Sequence, residues 1–367
     1  MSDAAGQIFS KFDIRDVSIR NRLAVAPMTR VTAMEDGLAT PRMSDYYKRF
    51  ADGGFGLVIT EGLYTDQLFS QGNAFQPGMS SAEQSASWRP IVKDLQGRGT
   101  KVFAQLMHAG ALVQGNRFMS GAVAPSALQP RGEQMTSYRG EGPFPVPSEI
   151  SDEQLADAIA GFGTASEAAF SAGFDGVEIH GANGYLLDQF LTDYTNHRTD
   201  KWGGDIKARM GVILDVVSTV KSSVGGKGPV GIRISQGKVN DFYHKWEGGE
   251  RDAEVIFGSL ADAGIDFLHV TEFIATKPAF DGTDQSLTKL ARKFAPNVPL
   301  IANGSAHSVD DVSAILDQGA DMVAIGRSAL ANPDWPARVK NGKEIRTFDP
   351  SILQPIAHVK DSELEIA

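Results

Sequence analysis

Cysteine is missing from all 367 positions of the chain. Disulfides, thiolate-bound zinc, iron–sulfur clusters and thiol nucleophiles are therefore excluded within these residues. Positive charge is also scarce: 35 Lys and Arg stand against 45 Asp and Glu, a formal net charge of -10. Binding along a nucleic-acid backbone draws on clustered Lys and Arg, so no nucleic-acid partner is expected and small-molecule chemistry is favoured. No stretch approaches the ~18 apolar residues of a membrane span, and the opening Met1 to Gln7 lacks the basic and apolar blocks of a signal peptide. These absences lead us to expect no membrane partner and a cytoplasmic location. The 7 histidines form no His-x-x-x-His pair with neighbouring carboxylates, so no catalytic metal is expected.

What is present is enough apolar residue, 42%, to bury a large core, with 22% charged. Short β-branched runs alternate with amphipathic stretches: Leu23 to Pro27, Gly56 to Thr60, Lys101 to Met107, Gly176 to His180, Val230 to Ser235, Asp266 to Thr271, Val298 to Asn303 and Asp321 to Gly326. Runs such as Leu57-Val58-Ile59 and Val323-Ala324-Ile325 are apolar throughout, as parallel strands buried on both faces require. Eight such strands alternating with helices predict an α/β fold, a (β/α)8 TIM barrel, as one domain over 1–367. Ser151, followed by Glu153-Gln154 and by Leu155, Ile159, Phe162 and Ala169, is the predicted N-cap of the helix running to Ala172. Between the third strand and this helix lies the Gly- and Pro-rich stretch 110–150, an insertion too long to be a mere connection. It follows a strand, so it belongs on the barrel's C-terminal face, where we expect it to act as a lid or wall over the active site. The polar, acid-ended tail 342–367 is open between a helix, an inter-subunit arm and a frayed end.

The stretch Val177-Glu178-Ile179-His180-Gly181-Ala182-Asn183-Gly184-Tyr185 follows a buried strand directly. If a helical turn begins there, His180 and Asn183, three apart, converge on one point. Two donors sharing one carbonyl or nitro oxygen would stabilise the charge that develops when hydride reaches the β-carbon. Tyr185 could then deliver a proton to the α-carbon. A strand-end histidine is commonly a satisfied core group, and a tyrosine beside Leu186-Leu187 could simply pack; the company of further matching strand ends favours the site.

Here the chain resembles the old yellow enzyme family of FMN-dependent ene-reductases. The blocks that carry the likeness are His180-Gly181-Ala182-Asn183-Gly184-Tyr185, Asn21 to Arg30, Val58 to Gly62, and Asn196 to Gly204 with Arg209, the last read as scaffold. The resemblance implies non-covalent FMN with NAD(P)H as reductant. It implies backbone contacts to the flavin ring from Pro27, Met28 and Gly62, where a Cβ would obstruct close approach, and contact with its carbonyl edge from Thr29. Gln105 would pair with the pyrimidine edge, Arg233 would favour the reduced ring, and His180 would border cofactor as well as substrate. Phosphate would rest on Asn303-Gly304-Ser305 and Gly326-Arg327, after the seventh and eighth strands.

His108 resembles a block bordering the site in bacterial members, or is structural. Arg117, Phe118, Tyr138, Arg139 and Phe144 of the insertion are expected to shape the substrate entrance and nicotinamide seat. Gly225-Gly226-Lys227-Gly228 lacks the following Ser/Thr and helix of a phosphate loop and belongs to the opposite barrel end.

The implied function is hydride transfer from NAD(P)H, by a ping-pong route through flavin, to the C=C bond of an α,β-unsaturated carbonyl or nitro compound. Enone and nitroalkene are thus the small-molecule partners. Two alternatives stay open: an NAD(P)H oxidase or xenobiotic or nitro-ester reductase on the same barrel, and a flavin-free lyase or phosphate-ligand binder. Larger relatives that carry iron–sulfur clusters are excluded by the missing cysteines. Neither the preference between NADH and NADPH nor the choice between monomer and homodimer is written in a motif. The tail holds no terminal aromatic or arginine of the kind some bacterial members insert into a neighbour.

Overall fold

The apolar runs become strands because neighbours on both sides bury them. In the computed structural model, which describes residues 3–365, eight parallel strands form a closed ring. They are β1 (Leu23–Val25), β2 (Leu57–Ile59), β3 (Lys101–Met107), β4 (Gly176–Asn183), β5 (Val230–Lys238), β6 (Phe267–Thr271), β7 (Leu300–Asn303) and β8 (Met322–Ile325). Each pairs with the next, and β8 pairs with β1 through Val323 opposite Leu23, closing the barrel. The short β1 and β2 are buried at every residue.

Outside lie α1 (Pro41–Asp52), α2 (Ala82–Gly97), α3 (Asp152–Ala172), α4 (Gly211–Val224), α5 (Glu250–Asp262), α6 (Leu287–Phe294), α7 (Val309–Leu316) and α8 (Trp335–Lys340). Ser151 caps α3 as expected: its side chain accepts from Gln154 N, and the Gln154 side chain accepts in return from Ser151 N. The helix ends at Gly173, left-handed with φ 98°, a conformation glycine adopts without a Cβ clash.

The sequence reading did not find the N-terminal hairpin, Phe12–Ile14 with Val17–Ile19. Its Ile14, Val17 and Ile19 pack on Ala24, Leu57, Phe103, Phe267 and Met322 and stop the barrel's bottom with apolar side chains. Three-residue strands with one apolar face are too short for a periodic signal. Gly225 and Gly226 sit at the same end, between α4 and β5, so the glycine-rich stretch faces away from the strand ends that carry chemistry.

The 110–150 insertion covers part of the opposite, C-terminal face. It is held by a two-stranded parallel pair, Val123–Ala124 with Ser148–Glu149, and carries short helical turns at Gly110–Leu112 and Thr136–Tyr138. The tail folds back over the same face. A short helix, Asp361–Leu364, sets Glu363 fully inside, where the carboxylate accepts from Arg30 Nη1 at 2.7 Å. Arg30 also donates to the backbone oxygens of Ala357 and His358, and Thr32 Oγ1 accepts from Val359 N. Of the three options open for the tail, the structure thus gives a short helix docked on its own barrel. Met1, Ser2, Ile366 and Ala367 lie outside the described residues, and with them the first positions of the N-terminal stretch and the last of the tail.

Candidate active site

Two adjoining cavities of about 260 Å³ each open at the C-terminal ends of the strands. Pro27, Met28, Asn183, Arg233 and Arg327 line both. Thr29, Gly62, Gln105, His180 and Tyr185 line the inner one, and Asn303, Gly304, Ser305 and Gly326 the outer one. The strand-end residues singled out from the sequence for cofactor or substrate thus all line one or both of these adjoining cavities.

The expected helical turn at His180 is not there. β4 runs on to Asn183, and residues three apart on a straight strand would point to opposite faces. What brings the two together is a left-handed Asn183, φ 64°, followed by Gly184 at φ 88°. Asn183 N donates to Ser235 Oγ at 2.8 Å, and Gly184 N donates to Asp188 Oδ2 at 2.6 Å. Asp188 is in turn held by Lys238 Nζ at 2.8 Å in an ion pair sealed from solvent, so an unfavourable backbone conformation is fixed by buried polar contacts. Tyr185 lies just ahead of the helix Leu186–Leu191, its ring 5.0 Å from that of His180.

The electrostatics follow from burial. Desolvation, then the Arg233 cation and His269, push the His180 pKa well below the usual 6.5, so the ring is neutral, with one donor and one acceptor nitrogen. Burial raises the Tyr185 phenol far above its ordinary value, with Tyr138 adding to the rise and Arg233 opposing it. Arg233 is itself lowered to about 10 by burial, opposed by Glu178, and donates through Nη2 to Thr271 Oγ1 at 3.1 Å and Asn303 Oδ1 at 3.0 Å. His180 Nδ1, Asn183 Oδ1 and Arg233 Nε are buried with no partner among the described residues. All three residues line the inner cavity, and buried polar groups left unsatisfied beside a cavity are what a site for a polar ligand carries.

FMN fits this donor set: an arginine and an amide in reach of a ring edge, and Asn303-Gly304-Ser305 with Arg327 for a phosphate. Gly304 is enforced by the protein, since an added Cβ would stand 2.4 Å from Glu272 O. At Gly62, which lines the inner cavity, a Cβ would also meet Met107 Sδ at 2.7 Å, so packing within the protein favours glycine there as well.

Of the five insertion residues expected at the entrance, only Tyr138 lines the cavity. Its phenol is raised to about 12, by burial above all and then by Glu61. Phe144 is buried in a cluster with Met107, Leu112 and Tyr185; Arg117 and Phe118 stack toward Tyr64; Arg139 lies over Phe75. Their own apolar partners take them out of the entrance. His108 is buried beside Asp66 and accepts from Gly110 N, which is a structural placement. Asn196 and Arg209 donate to the backbone oxygens of Phe190, Trp202 and Leu191, as scaffold residues do.

The sequence reading missed a polar layer beneath the cavities. Glu178 accepts from Gln105 Nε2 at 2.8 Å and pairs with His269 Nδ1 at 2.7 Å, all deep inside the barrel. Glu178 stands two residues before His180, on the same face of β4, so strand periodicity could have placed it inward. Leu353, from the tail, and Met135 are further cavity residues that carried no signal.

A family model for the NADH:flavin oxidoreductase / NADH oxidase family matches residues 7–346. The chain belongs to that family. A probable NADH-dependent flavin oxidoreductase, YqiG, of Bacillus subtilis is 33% identical over 348 residues, 92% of this chain and 88% of that protein. A probable flavin mononucleotide-dependent alkene reductase of Leishmania infantum is 33% identical over 91% of this chain and 90% of its own length. Among solved structures, the old yellow enzyme homologue of Zymomonas mobilis superposes with a TM-score of 0.88 at 30% identity, covering 98% of this chain and 99% of that one. As a member of this family the chain is an NAD(P)H-dependent flavin oxidoreductase that uses FMN.

Proposed function

We propose that this oxidoreductase reduces the C=C bond of α,β-unsaturated carbonyl or nitro compounds, in a ping-pong reaction in which reduced nicotinamide and alkene occupy the inner cavity in turn. The observation that carries the reading is that His180 and Asn183, three residues apart on β4, line the inner cavity together, with Tyr185 lining it beside them. The chemistry FMN supplies when bound is the relay of two electrons, as hydride, from nicotinamide to the β-carbon of the acceptor. His180, neutral, through its ring N–H, and Asn183, through its amide Nδ2, donate to the acceptor's oxygen and stabilise the negative charge that grows there. Tyr185, its phenol kept protonated by burial, delivers the proton to the α-carbon. Gln105 and Arg233 would hold the ring, and Asn303, Gly304, Gly326 and Arg327 would hold the phosphate.

The test is an anaerobic visible spectrum of the purified protein, first with NADPH or NADH and then with 2-cyclohexenone. Bleaching by the nicotinamide and recovery with the enone is the expected result. Recovery with oxygen alone would favour an oxidase. His180→Ala should slow the enone step on the order of a hundredfold, as loss of one oxyanion donor does, and weaken binding of a phenolate ligand. Equal slowing of both half-reactions would remove the carbonyl-clamp role.

A further inference from the structure

A third cavity, of about 510 Å³, lies beside the outer one and shares Phe242, Glu272, Phe273 and Arg327 with it. Among the described residues the exposed aromatic side chains are Phe242, Tyr243 and Phe273, at 62%, 93% and 61% exposure, and all three line this groove. Soluble proteins rarely leave several large aromatic rings together in water unless something covers them. The charge beside them is unusual for so acidic a chain. Lys245 neutralises Glu272 at 3.2 Å, while Lys277 and Arg327 have no carboxylate partner among the described residues. The groove therefore combines flat aromatic surface with one uncompensated cation, Lys277, and with Arg327, which it shares with the cavity assigned to the FMN phosphate.

We infer that this groove seats the adenosine half of the nicotinamide substrate. The adenine stacks on Tyr243 and Phe273, and Lys277 pairs with the 2′-phosphate, so that NADPH is preferred to NADH. A base on an aromatic face and a phosphate on a free ammonium are the two interactions these side chains can make together. The inference rests on the nicotinamide-driven reading above. Tyr243 and Lys277 line neither of the two inner cavities, so altering them leaves the hydride-transfer site intact.

Two measurements on the FMN-loaded protein test it. Calorimetry with adenosine 2′,5′-bisphosphate and with adenosine 5′-monophosphate reads the groove alone. Anaerobic stopped-flow reduction by NADPH, NADH and 1-benzyl-1,4-dihydronicotinamide, a donor without the adenosine half, reads its use. Tyr243→Ala should weaken the bisphosphate and NADPH about tenfold, the scale of one lost base stack, and leave the benzyl donor unchanged. Lys277→Gln should weaken the bisphosphate and NADPH about fivefold, with little effect on the monophosphate or NADH, as expected for one exposed charge pair. No bisphosphate binding, or equal binding by wild type and both variants, overturns the assignment even where NADPH still bleaches the flavin. Should none of the three donors bleach it, the oxidoreductase reading fails, and the calorimetry still decides the groove.

Discussion

At the scale of single residues, two phenols line one cavity, and burial raises both, Tyr138 to about 12 and Tyr185 further. An acid with a raised pKa stays protonated below it, and His180 stays neutral above its lowered one. The enone step should therefore be flat from pH 6 to 9, and a rise or fall centred near 6.5 in stopped-flow reoxidation would mean that His180 titrates. Tyr185→Phe should slow that step on the order of a hundredfold, as loss of a general acid does, and Tyr138→Phe only a few fold. The opposite ranking would make Tyr138 the proton donor. Glu61 has a different role. It is buried, accepts from Arg30 N at 2.9 Å and from the Tyr47 hydroxyl at 3.3 Å, and desolvation lifts its pKa from 4.5 to about 7. A carboxyl that ionises less readily folded than unfolded opposes folding once charged. The native state therefore has its full stability below pH 4.5 and loses about 3 kcal/mol as pH rises through 7. Glu61→Gln should flatten that loss in thermal melts at pH 5 and pH 8; parallel curves for wild type and variant would contradict it.

At the scale of elements, the most consequential contact joins the two ends of the chain. Arg30, just beyond β1, and Glu363, in the terminal helix, are both nearly sealed from solvent and make two guanidinium–carboxylate bonds. Removing one partner strands the other as a buried charge, so Glu363→Ala should cost roughly 3–5 kcal/mol or release the tail. Limited proteolysis of the tail together with thermal melting would detect either result. The double variant Arg30→Met/Glu363→Leu should recover most of the loss, and its failure to do so would mean that the ion pair itself, with the backbone bonds of Arg30, holds the tail. This pair also marks where sequence reading stops. Strands such as Leu57-Val58-Ile59 were legible because burial on both faces writes an unbroken apolar run, and Ser151 because a capping box is local. The positions at the strand ends were legible because each follows its strand directly. Glu178 with His269, Arg30 with Glu363, and the seat of Tyr138 depend on partners 91, 333 and many loop residues away, and no periodicity encodes those. The bend that joins His180 to Asn183 was misread for the same reason: Ser235, Asp188 and Lys238 impose it from other segments.

At the scale of the whole molecule, the barrel's closure and its cofactor site are one property. The residues expected to hold FMN stretch from Pro27 to Arg327 and meet only when all eight strands are in register, so the unfolded chain has no site to offer. A ligand that binds only the native state stabilises it by mass action, about 2.7 kcal/mol at a hundredfold excess over its Kd. For a chain of this length that corresponds to a rise in Tm of about 3 °C, with about 2 °C more for each further tenfold. The gain should be specific to the phosphate end. Riboflavin, which lacks the phosphate, should raise Tm less than FMN at the same concentration. Arg327→Ala should shrink the FMN shift toward that of riboflavin while leaving the riboflavin shift unchanged. Because the chain has no cysteine, none of these melts should respond to thiol reductant. Equal shifts from FMN and riboflavin in the wild type would remove the phosphate role from Asn303, Gly304, Gly326 and Arg327 and leave the outer cavity to another anion.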